Sequence, residues 1–432
     1  MGFMKLKYFF LWVLRRLLLA FKVRKYNQSA SPDHFFLKGA FTPLQHEVIY
    51  DNLSILGELP KIRGIYFRNG PNPQFLSDSY YFPFDGDGMV HEIRFHEKGV
   101  SYQNKWVLTH GLKAERAANK PLYSSLMTPK RPGLKWLQPK WLGFVPIKNT
   151  ASVNLVNFDE NIIALSEAQR AYELNSKLET KGFWRPKGSF MPPKMNAHYH
   201  KINSKCYMFS YDSLIPELCF YEFNLKGELL SQRRFYKDRV TMIHDFALTS
   251  KYIIFFDCPA VFNGQLKKTF VEWRPDLKTF LYILLNKGSV LKLPIPRCFV
   301  FHIVNTFEDK ESIIIDAVTY SEFWSLDHFA KELPAGTLTR YQVNKKSLKV
   351  TWESLVKRVE FPVLQEGFLG KKYTKIFLLR KRESHWFDQI ISYNFESKKI
   401  DETQIKDFEL SEPFLVKNHN KTYLLSLATP KN

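Results

Sequence analysis

From about residue 60 to the C-terminus the chain is cut into short runs that are apolar or alternate apolar with polar residues. They read NIIALSE, KCYMFSYD, LCFYEFN, YIIFFD, SIIIDAV, TLTRYQV, YTKIFLL, FDQIISYNF and TYLLSL. Most span about four to eight residues and end at Asn, Gly, Asp, Lys or Ser, which is the pattern of many antiparallel strands. A sandwich, a barrel or a propeller follows from it. CFYEFNLKGELLSQRRF and RYQVNKKSLKVTW read as hairpins that turn at NLKG and NKKS. No strict sequence period separates a propeller with diverged blades from a sandwich.

A chain of 432 residues is long for one compact core, so two or three domains or one large repetitive architecture is expected. Apolar residues at 45% and charged residues at 24% exclude a disordered chain. The 38 Phe suit β-rich cores, and they equally suit a tunnel for a long apolar ligand. Lys and Arg exceed Asp and Glu by 63 to 42, a net charge of +21 that favours anionic surfaces. Nucleic acid is set aside, because there is no zinc-finger spacing, Arg-rich helix or aromatic RNA-binding motif; a lipid surface remains. Cys206, Cys219, Cys258 and Cys298 form neither a metal knuckle nor a CxxC pair. They point to a reducing cytoplasm, which would keep a redox-active metal reduced.

The lipid reading gains support from KLKYFFLWVLRRLLLAFKVRK at residues 5–25. Arg15 and Arg16 split its apolar runs, which together fall short of a membrane span. On a helix, Lys5, Arg15, Arg16 and Lys22 share one arc, opposite Leu6, Phe9, Phe10, Val13, Leu14, Leu17 and Phe21. That is an in-plane interfacial helix, with Phe9, Phe10, Trp12, Arg15 and Arg16 as expected membrane contacts. Docking on the protein's own core is the alternative. A signal peptide is disfavoured by the central arginines and the lack of an A-x-A site. Trp136, Leu137, Trp141 and Phe144 in GLKWLQPKWLGF are a candidate second membrane contact. Residues 1–30 are thus expected to form the interfacial segment and 31–432 the folded domain.

RGIYFRNGPNPQF at 63–75 is expected to be an irregular turn, since Pro71 and Pro73 each lack a backbone donor. FDGDGM lacks the acidic spacing of a calcium loop and reads as a tight hairpin turn.

Three histidines share a setting. His198 in MNAHYHK, His244 in IHDF and His302 in FVFHIVNTFED each precede an apolar run, with separations of about 46 and 58 residues. His244 alone reads as a core histidine, a base paired with its own Asp, or a ligand, and each of the three singly reads as a structural histidine. At equivalent positions on successive propeller blades, the three imidazoles would point at a common axis. Converging neutral imidazoles make a metal site open to exogenous ligands.

The chain resembles the carotenoid cleavage oxygenases, a family that includes apocarotenoid-forming and lignostilbene dioxygenases and the vertebrate retinoid isomerase. The resemblance runs from about residue 36 onward. LKGAFTPLQHEV, GELP, RGIYFRNGPNPQF, YYFPFDGDGMVH, NTASVN, ALSEAQRAYELNSKLETKG, AHYHK, HDF, FHIVNTFE, VEFPVL and SEPF carry it. It implies an all-β, seven-bladed propeller with one non-haem Fe(2+) per chain on its axis, and loops over one face forming an apolar substrate tunnel. It also implies iron held by four histidines, of which three carry over as His198, His244 and His302. Three outer glutamates that orient the histidines carry over as Glu167, Glu360 and Glu412. Asp245 is expected to brace its local turn, and His200 to be a bystander. The family's fourth histidine lies in a Gly–Phe–His–Gly type segment. The residues after Glu412 contain His419 as their one histidine, expected at a hairpin turn, and the closing strand of a blade is expected to be incomplete.

The implied activity is oxidative cleavage of a carbon–carbon double bond in a carotenoid, apocarotenoid, or related polyene or stilbene, with dioxygen and a membrane surface as partners. A catalytically impaired, membrane-associated protein that binds apolar ligands is the alternative.

Overall fold

The computed structural model describes residues 35–76, 83–123, 125, 148–262, 270–285, 288–324, 334–382, 386–418 and 421–431, with Lys7, Phe10, Leu11, Val13 and Leu14. The secondary structure is dominated by strands, and four-stranded antiparallel sheets recur along the chain. The chain forms two compact units.

The first unit comprises residues 1–37, 43–240 and 261–272. It holds three such sheets. One joins Ile49–Tyr50, Val100–Trp106, Gly88–Phe95 and Gly64–Pro71 in that order. Another runs from Asn154–Phe158 to Thr180–Phe183, and the third from Tyr199–Ile202 to Leu229–Tyr236. Buried faces of the last two pack into apolar clusters around Phe158, Trp184, Met195 and Phe223, and around Ile162, Tyr172 and Leu178.

The second unit comprises residues 38–42, 241–260 and 273–432. One sheet joins Ala247–Leu248, Tyr252–Asp257, Thr279–Leu285 and Val290–Ile295. A seven-stranded meander then runs from Phe299–Glu308 to Ile400–Gln404. Its long middle strand, Val350–Val363, pairs first with Gly336–Asn344 and then with Lys375–Arg380. The changeover falls at residues 358–363, where Arg358 and Phe361 take positive φ and the register slips after Glu360. The described chain ends with the hairpin pairing of Phe414–Asn418 and Lys421–Leu425, Asn418 opposite Lys421, enclosed by the pairing of Phe408–Leu410 with Ala428–Pro430.

Both expected hairpins form. Asn224 Oδ1 accepts from Lys226 N and Glu228 N, while Gly227 adopts φ +77. Asn344 Oδ1 accepts from Lys346 N and Ser347 N in the same way. These short polar side chains imitate a backbone turn, so the signal is local and readable.

Two expectations at the N-terminal sheet are corrected. Gly64–Pro71 is a strand, not an irregular turn. It lies at the edge of its sheet with Pro71 as its last residue, where the missing N–H costs no ladder bond. FDGDGM is not a tight hairpin turn either: Pro71 lies opposite Gly88, and residues 72–87 form a long connection. Asp87 in that connection is buried and pairs with Lys148, which also reaches Glu115 at 2.5 Å. Gly88 is required by close approach, since a Cβ there would collide with the Ala151 carbonyl.

The five described residues near the N-terminus are all helical, and Phe10 and Leu14 are exposed. Phe9, Trp12, Arg15, Arg16, the second candidate contact at Trp136, Leu137, Trp141 and Phe144, and His419 lie outside the described residues. Among the described residues, no helix is long and apolar enough to cross a membrane. All four cysteines are free and buried.

Candidate metal centre

His198 stands one residue before strand Tyr199–Ile202, and His244 three residues before Ala247–Leu248. His302 lies inside strand Phe299–Glu308, and the apolar run it was expected to precede follows as strand Ser312–Tyr320. The register of that strand against Ser312–Tyr320 slips between Val300 and Ile303, so His302 sits in an irregular stretch. Such bulges re-aim a side chain out of the alternation of the ladder. One nitrogen from each of His198, His244 and His302 lies within 4.8 Å of the other two. The His244 and His302 rings meet edge-on, 5.1 Å between centroids.

Behind His302 stands a carboxylate. His302 Nδ1 is 2.7 Å from Glu360 Oε2, and the Glu360 side chain is 2% exposed. Burial by itself would lower the His302 pKa. The Glu360 charge and hydrogen bond, with Glu412 and Asp245 behind them, outweigh it and raise the group to about 9. The same Glu360 oxygen accepts from the Phe361 backbone N–H, so the positive-φ residue at the register slip also fixes the carboxylate.

Asp245 bridges two segments. Its Oδ1 accepts from Phe246 N at 2.7 Å and its Oδ2 from Ile303 N at 2.8 Å. The residue beside His244 therefore holds the backbone beside His302 through an N–H that the slipped ladder leaves unused. Its reach across to Ile303, 58 positions on, is invisible in IHDF. Glu167 accepts from Tyr211 Oη at 3.2 Å, and Glu412 is half-buried. His200 lies in the ladder with Cα opposite Tyr207.

Aromatic rings crowd His244 and His302. Phe301 packs edge-on to His244 at 5.4 Å and lies 4.8 Å from Trp324, and Phe361 lies 5.6 Å from His302. These rings were not singled out in the sequence, where they read as ordinary strand residues.

The donor set suits a divalent transition metal. Imidazole nitrogens match iron, zinc or copper better than magnesium or calcium, and a carboxylate on the far nitrogen is the usual brace of a metal-bound histidine. The class is thus a protein of four-stranded antiparallel sheets that carries a cluster of three histidines backed by buried carboxylates.

Residues 41–430 match the family described as retinal pigment epithelial membrane protein, and the chain belongs to that family, the carotenoid cleavage oxygenases. Among its relatives is the apocarotenoid-15,15'-oxygenase of Synechocystis sp., 29% identical over 349 residues that cover 74% of this chain and 70% of the relative. Isoeugenol monooxygenase of Pseudomonas nitroreducens is 27% identical over 72% of this chain and 68% of its own. Carotenoid 9,10(9',10')-cleavage dioxygenase 1 of Pisum sativum is 26% identical over 82% of this chain and 71% of its own. The crystal structure of the cobalt-substituted Synechocystis enzyme superposes with a TM-score of 0.81 at 25% identity, covering 94% of this chain and 92% of that one. The chain is accordingly an oxygenase of this family.

Proposed function

We propose that this protein is a non-haem iron(II) dioxygenase that cleaves a carbon–carbon double bond of a carotenoid, apocarotenoid, or related polyene or stilbene. The observation that carries the reading is the convergence of His198, His244 and His302, with Glu360 hydrogen-bonded to the far nitrogen of His302. Relatives named for cleaving apocarotenoids, carotenoids and resveratrol support the substrate class. On this reading the recurring four-stranded sheets are blades of a seven-bladed propeller. Residues 1–30 are its membrane-interface segment and 31–432 its catalytic domain.

The three histidines would hold one Fe(2+). The chemistry such a centre supplies is electron exchange with dioxygen beside an alkene, with C=C and O2 giving two carbonyl products. Each histidine must present a neutral nitrogen. For His302, Glu360 holds the remaining N–H and so selects the tautomer that leaves Nε2 for the ion. Asp245 and the Phe361 N–H keep His302 and Glu360 from rotating. Glu167 and Glu412 serve as the other outer carboxylates. Phe301, Trp324 and Phe361 keep water from the cluster and offer flat apolar surface to a conjugated chain.

The test is anaerobic reconstitution with Fe(II), a metal count per chain, and product analysis on carotenoids, apocarotenals and stilbenes under dioxygen. Near-stoichiometric iron and paired carbonyl products are expected. Absence of both defeats the reading, and apolar-ligand binding without cleavage would favour a carrier.

The substrate class is nearly insoluble in water, so it has to be collected from a bilayer. The exposed Phe10 and Leu14 and the +21 charge support membrane docking through residues 5–25. In liposome flotation, the full chain should float with anionic vesicles and lose part of its binding as salt rises. A chain starting at Gln28 should float far less; equal flotation of both would refute the anchor.

A further inference from the structure

Two buried polar atoms stand beside the candidate centre. Tyr320 Oη and Glu360 Oε1 are both shielded from solvent, and neither makes a hydrogen bond of standard geometry. The other Glu360 oxygen is already committed to His302 and to the Phe361 N–H. Tyr320 ends strand Ser312–Tyr320, its Cα opposite Phe299. Its ring is 2% exposed and wedged edge-on against Phe301 and Trp324, at 5.5 and 5.7 Å. A phenol locked there has one direction left to it, the turn of its O–H about the C–O bond. A phenol carries its proton at neutral pH, and burial, and after it the Glu360 carboxylate, push its pKa further up. A buried hydroxyl and a buried carboxylate oxygen are each costly unless they satisfy one another.

The arrangement has a counterpart. Tyr211, 4% exposed, donates to Glu167 Oε2 at 3.2 Å, and burial and Glu167 raise its phenol in the same way. Tyr211 and Tyr320 are each a buried tyrosine at the last residue of a strand.

We infer that Tyr320 and Tyr211 are positioning residues for the histidine cluster, each hydroxyl donating to an outer glutamate and fixing the plane of its carboxylate. For Tyr320 the chain of contact is Tyr320 to Glu360 to His302. The proton on Tyr320 keeps Glu360 an acceptor aligned on His302 Nδ1, and that alignment sets where Nε2 points. Polar chains of this kind strengthen each link, and an outer partner left loose lets the ligand ring swing. The inference rests on the metal-centre reading above and adds residues to it.

The test is a double-mutant cycle on the full chain with Co(II) as the probe, read by its dissociation constant and its d–d absorption. Tyr320→Phe keeps the ring and removes only the hydroxyl. It should weaken Co(II) binding roughly 3–10-fold, less than loss of the directly bonded glutamate, and shift the d–d bands. In a Glu360→Gln background the same substitution should do nothing further. Tyr211→Phe should likewise weaken binding, and its effect should vanish in Glu167→Gln. The metal-free Tyr320→Phe protein should melt close to the wild type. Unchanged affinity and spectrum would overturn the inference, as would equal losses with and without Glu360. If the wild type itself binds no Co(II) or Fe(II), both this inference and the proposed function fall. If it binds and Tyr320→Phe matches it, only the inference falls.

Discussion

Strands Phe299–Glu308 and Ser312–Tyr320 are neighbours in one sheet and nearly equally rich in buried apolar residues, yet they behave differently. The second runs in unbroken register against Gly336–Asn344 from Ser312 to Thr319. The first slips twice within six residues, and His302 lies in the first slip. The regular strand spends its backbone groups on the ladder and its side chains on the core. The irregular one gives up ladder bonds, recovers one through Asp245, and gains a side chain aimed out of alternation. Val350–Val363 is irregular too: it pairs regularly from Val350 to Ser354, shifts register before Val356 and again before Val359, and breaks once more after Glu360. Where the sheet is regular it supplies stability; where it is broken it holds the residues of the proposed site.

That contrast breaks if the regular strand proves dispensable for folding. Ile315 is fully buried there, and Ile315→Ala should cost about 2–5 kcal/mol in denaturant unfolding, while metal bound per folded molecule stays unchanged. A small loss of stability, or a loss of metal from folded protein, would erase the division of labour. The reverse substitution in character is Glu360→Gln. It should leave unfolding nearly unchanged and weaken metal retention roughly 10–100-fold, measured by equilibrium dialysis. Unchanged retention would show that Glu360 does not serve the cluster.

The smallest effect sharpens the regular side. Leu348 sits in the turn between Gly336–Asn344 and Val350–Val363 at φ +56 and is 37% exposed. A left-handed conformation is costly for a side chain with a Cβ, so Leu348→Gly should raise stability by about 1 kcal/mol in chemical unfolding, with no effect on metal affinity. Destabilisation instead would mean that the leucine packs usefully in spite of its backbone.

The strands, the Asn-centred hairpins at residues 224 and 344, and the three histidines as a set were legible in the sequence. Each depends on neighbours a few positions away: period 2 follows from the pleat, and an Asn side chain closes its own turn. The glutamates came only through family resemblance, because a lone Glu beside a strand is unremarkable. Pro71 reads as a turn residue in the sequence because nothing local reveals that its strand lies at a sheet edge. FDGDGM misled because Asp87 answers to Lys148, 61 positions away.

What the sequence determined by itself is therefore the β-rich class, the turn positions and which imidazoles share a context. Only the tertiary structure decided that His302 lies within a strand, that Asp245 holds Ile303 and that Glu360 reaches His302. The last two pairings each join residues 58 positions apart across a slipped register. A slip is the outcome of competition between ladder bonds, packing and buried charge over the whole sheet, and no local pattern encodes that balance.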